Sequence, residues 1–143
     1  MNALILQGVS LAGSQIISKL ITETYKLIQE NDDPRVKNVL EEIDLEADLQ
    51  IIQALVDEIE IDERQEGTLD VVDVALQNVN IMVSIITSEL ESINHKTIRH
   101  RSKSIINAKP AIKSNLDQLI QHKTILDKRV DKLIQLIQLK RFR

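Results

Sequence analysis

Residues 68–93, TLDVVDVALQNVNIMVSIITSELESI, decide the fold class. Val72, Leu76, Val79, Val83, Ile86, Leu90 and Ile93 step by four and three without a miss. That spacing stacks side chains on one face of an α-helix. A strand would need alternation with period two, and no part of the stretch sustains it. Thr68 follows Gly67 as a natural N-cap, and Asp70 falls in the first turn, where the helix dipole favours a carboxylate. Ile and Val lower intrinsic helix propensity, but the spacing outweighs the rank of single residues.

The pattern continues on both sides. Downstream, Ile112, Leu116, Leu119, Leu126, Val130, Leu133 and Ile137 repeat it, with Lys123 standing where an apolar residue belongs. Upstream, Leu45, Leu49, Ile52, Val56 and Ile59 do the same, preceded by Val36, Leu40 and Ile43 on a shifted register. The first segment has a broader apolar face, with Ile5, Val9, Ala12, Ile16 and Leu20 beside Ile17, Ile21 and Ile28. Three breaks separate the segments: Asn31-Asp32-Asp33-Pro34, Glu66-Gly67-Thr68 and Asn107-Ala108-Lys109-Pro110. Helices are therefore expected over 2–30, 34–62, 68–106 and 110–141, in a single domain spanning 1–143. Short breaks between long helices favour antiparallel neighbours. The expected fold is all-α, an antiparallel up-down-up-down four-helix bundle with coiled-coil-like packing. Between Asn94 and Ser104 only Ile98 is apolar, so a bend or fraying is expected there.

Composition narrows the chemistry. The chain of 143 residues has Tyr25 and Phe142 as its aromatics and no Trp, so its core must be aliphatic. Pockets for bases, sugars and flat cofactors usually recruit aromatic faces, and no cofactor or small-molecule substrate is expected. The absence of Cys excludes disulfides, thiolate metal sites and Cys nucleophiles. Low aromatic content with abundant Ile, Lys and Asn suits an AT-rich genome, including those of large DNA viruses. Met1 to Ser18 carries no charged side chain, yet it lacks a basic start, and Gln7, Ser10, Ser14 and Gln15 interrupt any apolar run. Neither a signal peptide nor a membrane span is expected, and the expected setting is cytoplasmic, peripheral at a membrane in the alternative reading.

The net charge of −4 hides a separation along the chain. Residues 1–95 carry five Lys or Arg against nineteen Asp or Glu, a net −14; residues 96–143 carry thirteen against three, a net +10. One reading is intramolecular: the acidic second helix and the basic last helix pack side by side, and their charges select the topology. The sharper reading makes a basic end of Lys96, Arg99, Arg101 and Lys103 with Lys140, Arg141 and Arg143, which meets an anionic lipid or protein. Overall acidity and the lack of stacking aromatics argue against nucleic acid.

No catalytic constellation is recognisable. His95 and His100 are five apart, off the spacing that puts two imidazoles on one helical face. Glu42 with Glu46 and Asp44 with Asp48 have i, i+4 spacing, but no Glu-x-x-His completes a di-metal site, and these carboxylates read as a solvated face. No catalytic, cofactor or metal residue is assigned, and a non-enzymatic protein-interaction or assembly module is expected, with self-association as one form of it. The first helix, through Leu4, Ile5, Val9, Ile16, Ile17 and Leu20, either is the most buried of the bundle or enters a membrane or partner groove.

With its apolar first helix (Leu4-Ile5-Leu6 to Ile28), acidic second helix and basic tail, the layout resembles the four-helix killer domains of three groups. These are fungal HeLo-type proteins, mixed-lineage-kinase-like pseudokinases and plant resistance-protein coiled coils. Leu69-Asp70-Val71-Val72-Asp73 is distantly similar to the acidic motif of the plant domains, although its place in the helix order differs. The resemblance implies a bundle that assembles and perturbs membranes, the alternative function, with the N-terminal helix inserting into an anionic bilayer.

Overall fold

A computed structural model describes the backbone of residues 9–66, 71–99 and 111–141, and side chains within 15–59, 71–98 and 111–140. Nearly all of the described chain is helical. Helix α1 spans Val9–Glu30, α2 Pro34–Ile43, α3 Leu45–Glu66, α4 Val71–Asn94 and α5 Lys113–Arg141, and a π-helical turn, His95–Arg99, extends α4.

Local chemistry sets the boundaries. Asp33 caps α2: its carboxylate accepts the Arg35 N–H at 2.9 Å, and Pro34 fills a first-turn position where no amide donor is needed. The single helix expected over 34–62 is in fact two, a correction that the apolar register explains. Ile43 and Leu45 are two residues apart, which one helical face cannot accommodate. The chain breaks between them at Asp44, in the left-handed conformation (φ 54°, ψ 46°), whose N–H returns to the carbonyls of Leu40 and Glu41. Asp is among the few residues that tolerate this region. Val36 and Leu40 before the break, and Leu45, Leu49, Ile52, Val56 and Ile59 after it, are then all buried.

The stripe read from residues 68–93 is buried in full, from Val72 to Ile93. On α5, Leu119, Leu126, Val130, Leu133 and Ile137 are buried with Ile112 just ahead of the helix, and Leu116 is half-buried. On α1 the buried line is Ile17, Ile21 and Thr24, not Ile16, which is 51% exposed. Where a bend or fraying was expected after Asn94, the helix continues as a π-helical turn to Arg99; residues 100–104 lie outside the described residues.

Side-chain bonds give the direction of each seam. Gln53 to Ser18 (3.2 Å) and Tyr25 to the Glu46 carbonyl (3.3 Å) run in opposite order along the chain, so α1 and α3 are antiparallel. Asn115 to Glu89 (2.9 Å) and Arg129 to the Asn78 carbonyl (2.9 Å) make α4 and α5 antiparallel. The seam between α1 and α4 is different. Thr24 meets Thr87 and Asn31 meets Asn94, both at a separation of 63 residues, so these helices run parallel. The last helix also packs on α2 and α3, whereas among the described residues neither α1 with α5 nor α3 with α4 forms a packed seam. The antiparallel order expected for consecutive helices therefore holds for α1 with α3 and for α4 with α5. By the same bonds α3 and α4 also run in opposite directions; what differs from the expected bundle is adjacency, since α1 packs on α4 where α3 was expected to meet it.

Candidate functional site

Three features depart from a plain aliphatic core: a polar ladder, a buried lysine and an exposed apolar face.

The ladder lines the parallel seam. Thr24 and Thr87 hydroxyls lie 2.7 Å apart, and each is 3% exposed or less. The Asn31 amide donates to Asn94 Oδ1 (2.7 Å) and to the Thr97 hydroxyl (3.0 Å). Asn94 in turn donates to the Leu27 carbonyl (3.0 Å), and Asn31 Oδ1 accepts the Asp33 N–H (2.9 Å). Buried amides cost stability unless satisfied, and these are satisfied only when α1 and α4 align in this register. The π-helical turn continues α4 far enough to bring Thr97 under Asn31. Such turns are frequent at functional sites.

The buried lysine is Lys123, the exception in the α5 stripe. It is 7% exposed. Its ammonium donates to both carboxylate oxygens of Asp127, one turn on (2.8 and 2.9 Å), and lies 2.9 Å from Asp48 Oδ2 across the seam with α3. The contact with Asp48 is close but poorly directed, and this oxygen accepts no aligned hydrogen bond. Burial together with the adjacent Asp127 raises the Asp48 carboxyl to about 6 against the pull of Lys123. Burial works against the charged forms of the other two as well. Hydrogen bonds override it, holding Asp127 below its ordinary value and Lys123 above its own. Asp48 is thus no part of a solvated face, which corrects the reading from its i, i+4 spacing. The acidic α2–α3 and the basic α5 do lie side by side, and Asp48–Lys123 ties them.

The apolar face is on α4. From Val74 to Ser88 the helix carries no charged side chain. Its outward side presents Val71, Val74, Asn78, Ile81 and Ile85; Val71 is 64% and Ile81 51% exposed. Next to it on α5, Asn115, His122 and Arg129 face α4, and Ile125, Lys132 and Leu139, spaced by seven, continue the outer surface. Val71–Ile98 is long and apolar enough to cross a membrane by length and composition, and half of that apolar window is buried within the fold.

Of the residues singled out for anion binding, the two with described side chains, Lys96 and Lys140, lie far apart. Lys96 donates to Asn115 at the start of α5 (2.8 Å), whereas Lys140 lies near the other end of that helix, roughly 37 Å away at the α-helical rise. Arg99 closes the π-helical turn and Arg141 closes α5, with side chains outside the described set; Arg101, Lys103 and Arg143 lie outside the described residues. Of the first-helix residues, Ile17 is core, Leu20 is half-buried and Ile16 is exposed. Val9 opens α1 with an undescribed side chain, and Leu4 and Ile5 lie outside the described residues. Among the described residues no group of three or more His, Asp or Glu is placed to hold a metal ion. The sequence signal for Lys123 was its place in the stripe. None marked Asp48, which sits in a run of acidic residues, or Asn31, which reads as a turn residue.

No protein family, curated protein or solved structure matches the chain.

Proposed function

We propose that this chain is a four-helix bundle acting as a non-enzymatic interaction or assembly module, and that it engages its partner through the outer face of α4. The observation that carries the reading is the charge-free, half-apolar surface of that helix from Val71 to Ser88. An amphipathic surface helix ordinarily turns charged and polar side chains to water. Here the water-facing side holds four aliphatic residues, Asn78 and two serines, Ser84 and Ser88. Single exposed aliphatics are normal; a continuous row on one helix marks an interaction surface. The first helix, which the sequence singles out, carries exposed Lys19, Glu23, Lys26 and Glu30 along its described part. It is therefore the less suitable of the two for an apolar partner.

The double variant I81E/I85E tests the reading. Both side chains are solvent-exposed, so helicity by circular dichroism and melting temperature should stay near native. Association with a protein partner, or with a differently tagged copy of the chain, should be lost, and vesicles containing phosphatidylserine should keep an entrapped dye. Dye release by the native chain that I81E/I85E abolishes would contradict a protein partner and assign the face to a bilayer.

A further inference from the structure

Resting on the reading of α4 as an interaction face, we propose that its occupant is a second copy of this chain, with the two α4 helices packed antiparallel about a two-fold axis at Asn78. The stripe is nearly the same read in either direction from that residue. Val71 and Ile85 lie seven residues away on opposite sides, with Val74 and Ile81 between them and the centre. A two-fold contact is self-complementary by construction: the patch that one copy offers must fit itself reversed. This stripe does so, setting Val71 of one copy against Ile85 of the other, Val74 against Ile81, and Asn78 against Asn78. Two amides facing each other at the centre satisfy one another and penalise any slipped register, as a lone polar residue does in an apolar helix seam.

Flanking charge selects the orientation. Because α4 and α5 are antiparallel, Lys132 of α5 lies alongside the Val71–Asn78 half of the stripe and Lys140 beyond its Val71 end, while the Ile81–Ile85 half leads to Glu89. Antiparallel pairing sets the basic half of one copy beside the acidic half of the other. Parallel pairing would set like halves together, and would also align the two helix dipoles. The surface is sufficient. The exposed aliphatics of α4 with Ile125 and Leu139 of α5, counted on two copies, cover on the order of 1,000 Å², the lower bound for a specific interface. The contacting surface of α4 brings no charge that would have to be desolvated.

The chain has no Cys, so single cysteines report the geometry without background. Under mild oxidation N78C should cross-link to a dimer with itself. An equal mixture of V71C and I85C should give the mixed dimer, and I85C alone should not, because its two copies would lie roughly 21 Å apart along the helices, far beyond disulfide reach. Self-cross-linking of I85C to the same extent as N78C would overturn the antiparallel arrangement. A native chain that stays monomeric in sedimentation up to several hundred micromolar would overturn the second copy as occupant. If that monomer still bound a different protein in an I81E-sensitive way, the interaction face itself would stand. If instead it floated with phosphatidylserine–phosphatidylcholine vesicles in an I81E-sensitive way, both would fall.

Discussion

Lys123 sits where the α5 stripe calls for an aliphatic side chain, and its two carboxylate partners explain why it is tolerated. Removing one partner from such a group leaves the rest uncompensated, whereas replacing the pair by apolar residues of like volume is close to neutral. We expect Lys123→Met to cost roughly 3 kcal/mol in urea denaturation, and D48L/K123M to return to within about 1 kcal/mol of native. The carboxyl of Asp48, ordinarily at 3.8, is raised to about 6. An acid raised in the folded state stabilises fully below its ordinary value, and that contribution is lost as pH rises through about 6. Asp127, held low, contributes above its ordinary value instead, and Lys123, held high, does not change over this range. Stability should therefore decline by about 1 kcal/mol between pH 4.5 and pH 7, after allowance for solvent screening, and Asp48→Asn should flatten that slope in thermal melts. The sequence showed the lysine as a flaw in a pattern. It could not show the aspartate, because a carboxylate buried against another helix looks like its solvated neighbours until the helices are packed.

The break at Asp44 and the parallel α1–α4 seam belong to the scale of elements. A two-residue slip between Ile43 and Leu45 was visible in the sequence as a shifted register, but a helix spanning the slip was an equally regular reading. The left-handed residue lets both halves bury their apolar faces. Asp44→Gly should leave stability unchanged or raise it by up to about 1 kcal/mol, and Asp44→Ala should lower it by about the same amount in thermal melts. That α1 and α4 are neighbours was not legible in the sequence. Alternating directions make these two helices run the same way but do not bring them together; Asn31, Asn94 and Thr97 do so by bonding in one register. Asn31→Ala should cost roughly 2 kcal/mol, since it strands Asn94 Oδ1 in a buried site; amide exchange along α1 and α4 should quicken accordingly. The regular stripes of α4 and α5, by contrast, were readable residue by residue, because unbroken four-three spacing leaves no second solution.

At the scale of the whole molecule, the charge separation and the aliphatic core do different work. Acidic α2–α3 and basic α5 lie beside each other, tied by Asp48 and Lys123, while most of their other charged side chains face water. The expected basic end is divided, with Lys96 and Lys140 near opposite ends of α5. What remains unmatched by the fold is the uncharged outer side of α4. Its continuity was hidden in the sequence because the same helix also supplies the core: α4 is apolar on nearly every side, and the periodicity of the buried stripe masks that of the exposed one. The most direct test is sedimentation equilibrium of the native chain and of I81E at neutral pH over a hundredfold range of concentration. The account predicts a reversible dimer for the native chain, weakened at least tenfold in I81E with its helicity intact. A native chain that remains monomeric throughout, or a dimer indifferent to I81E, would contradict it.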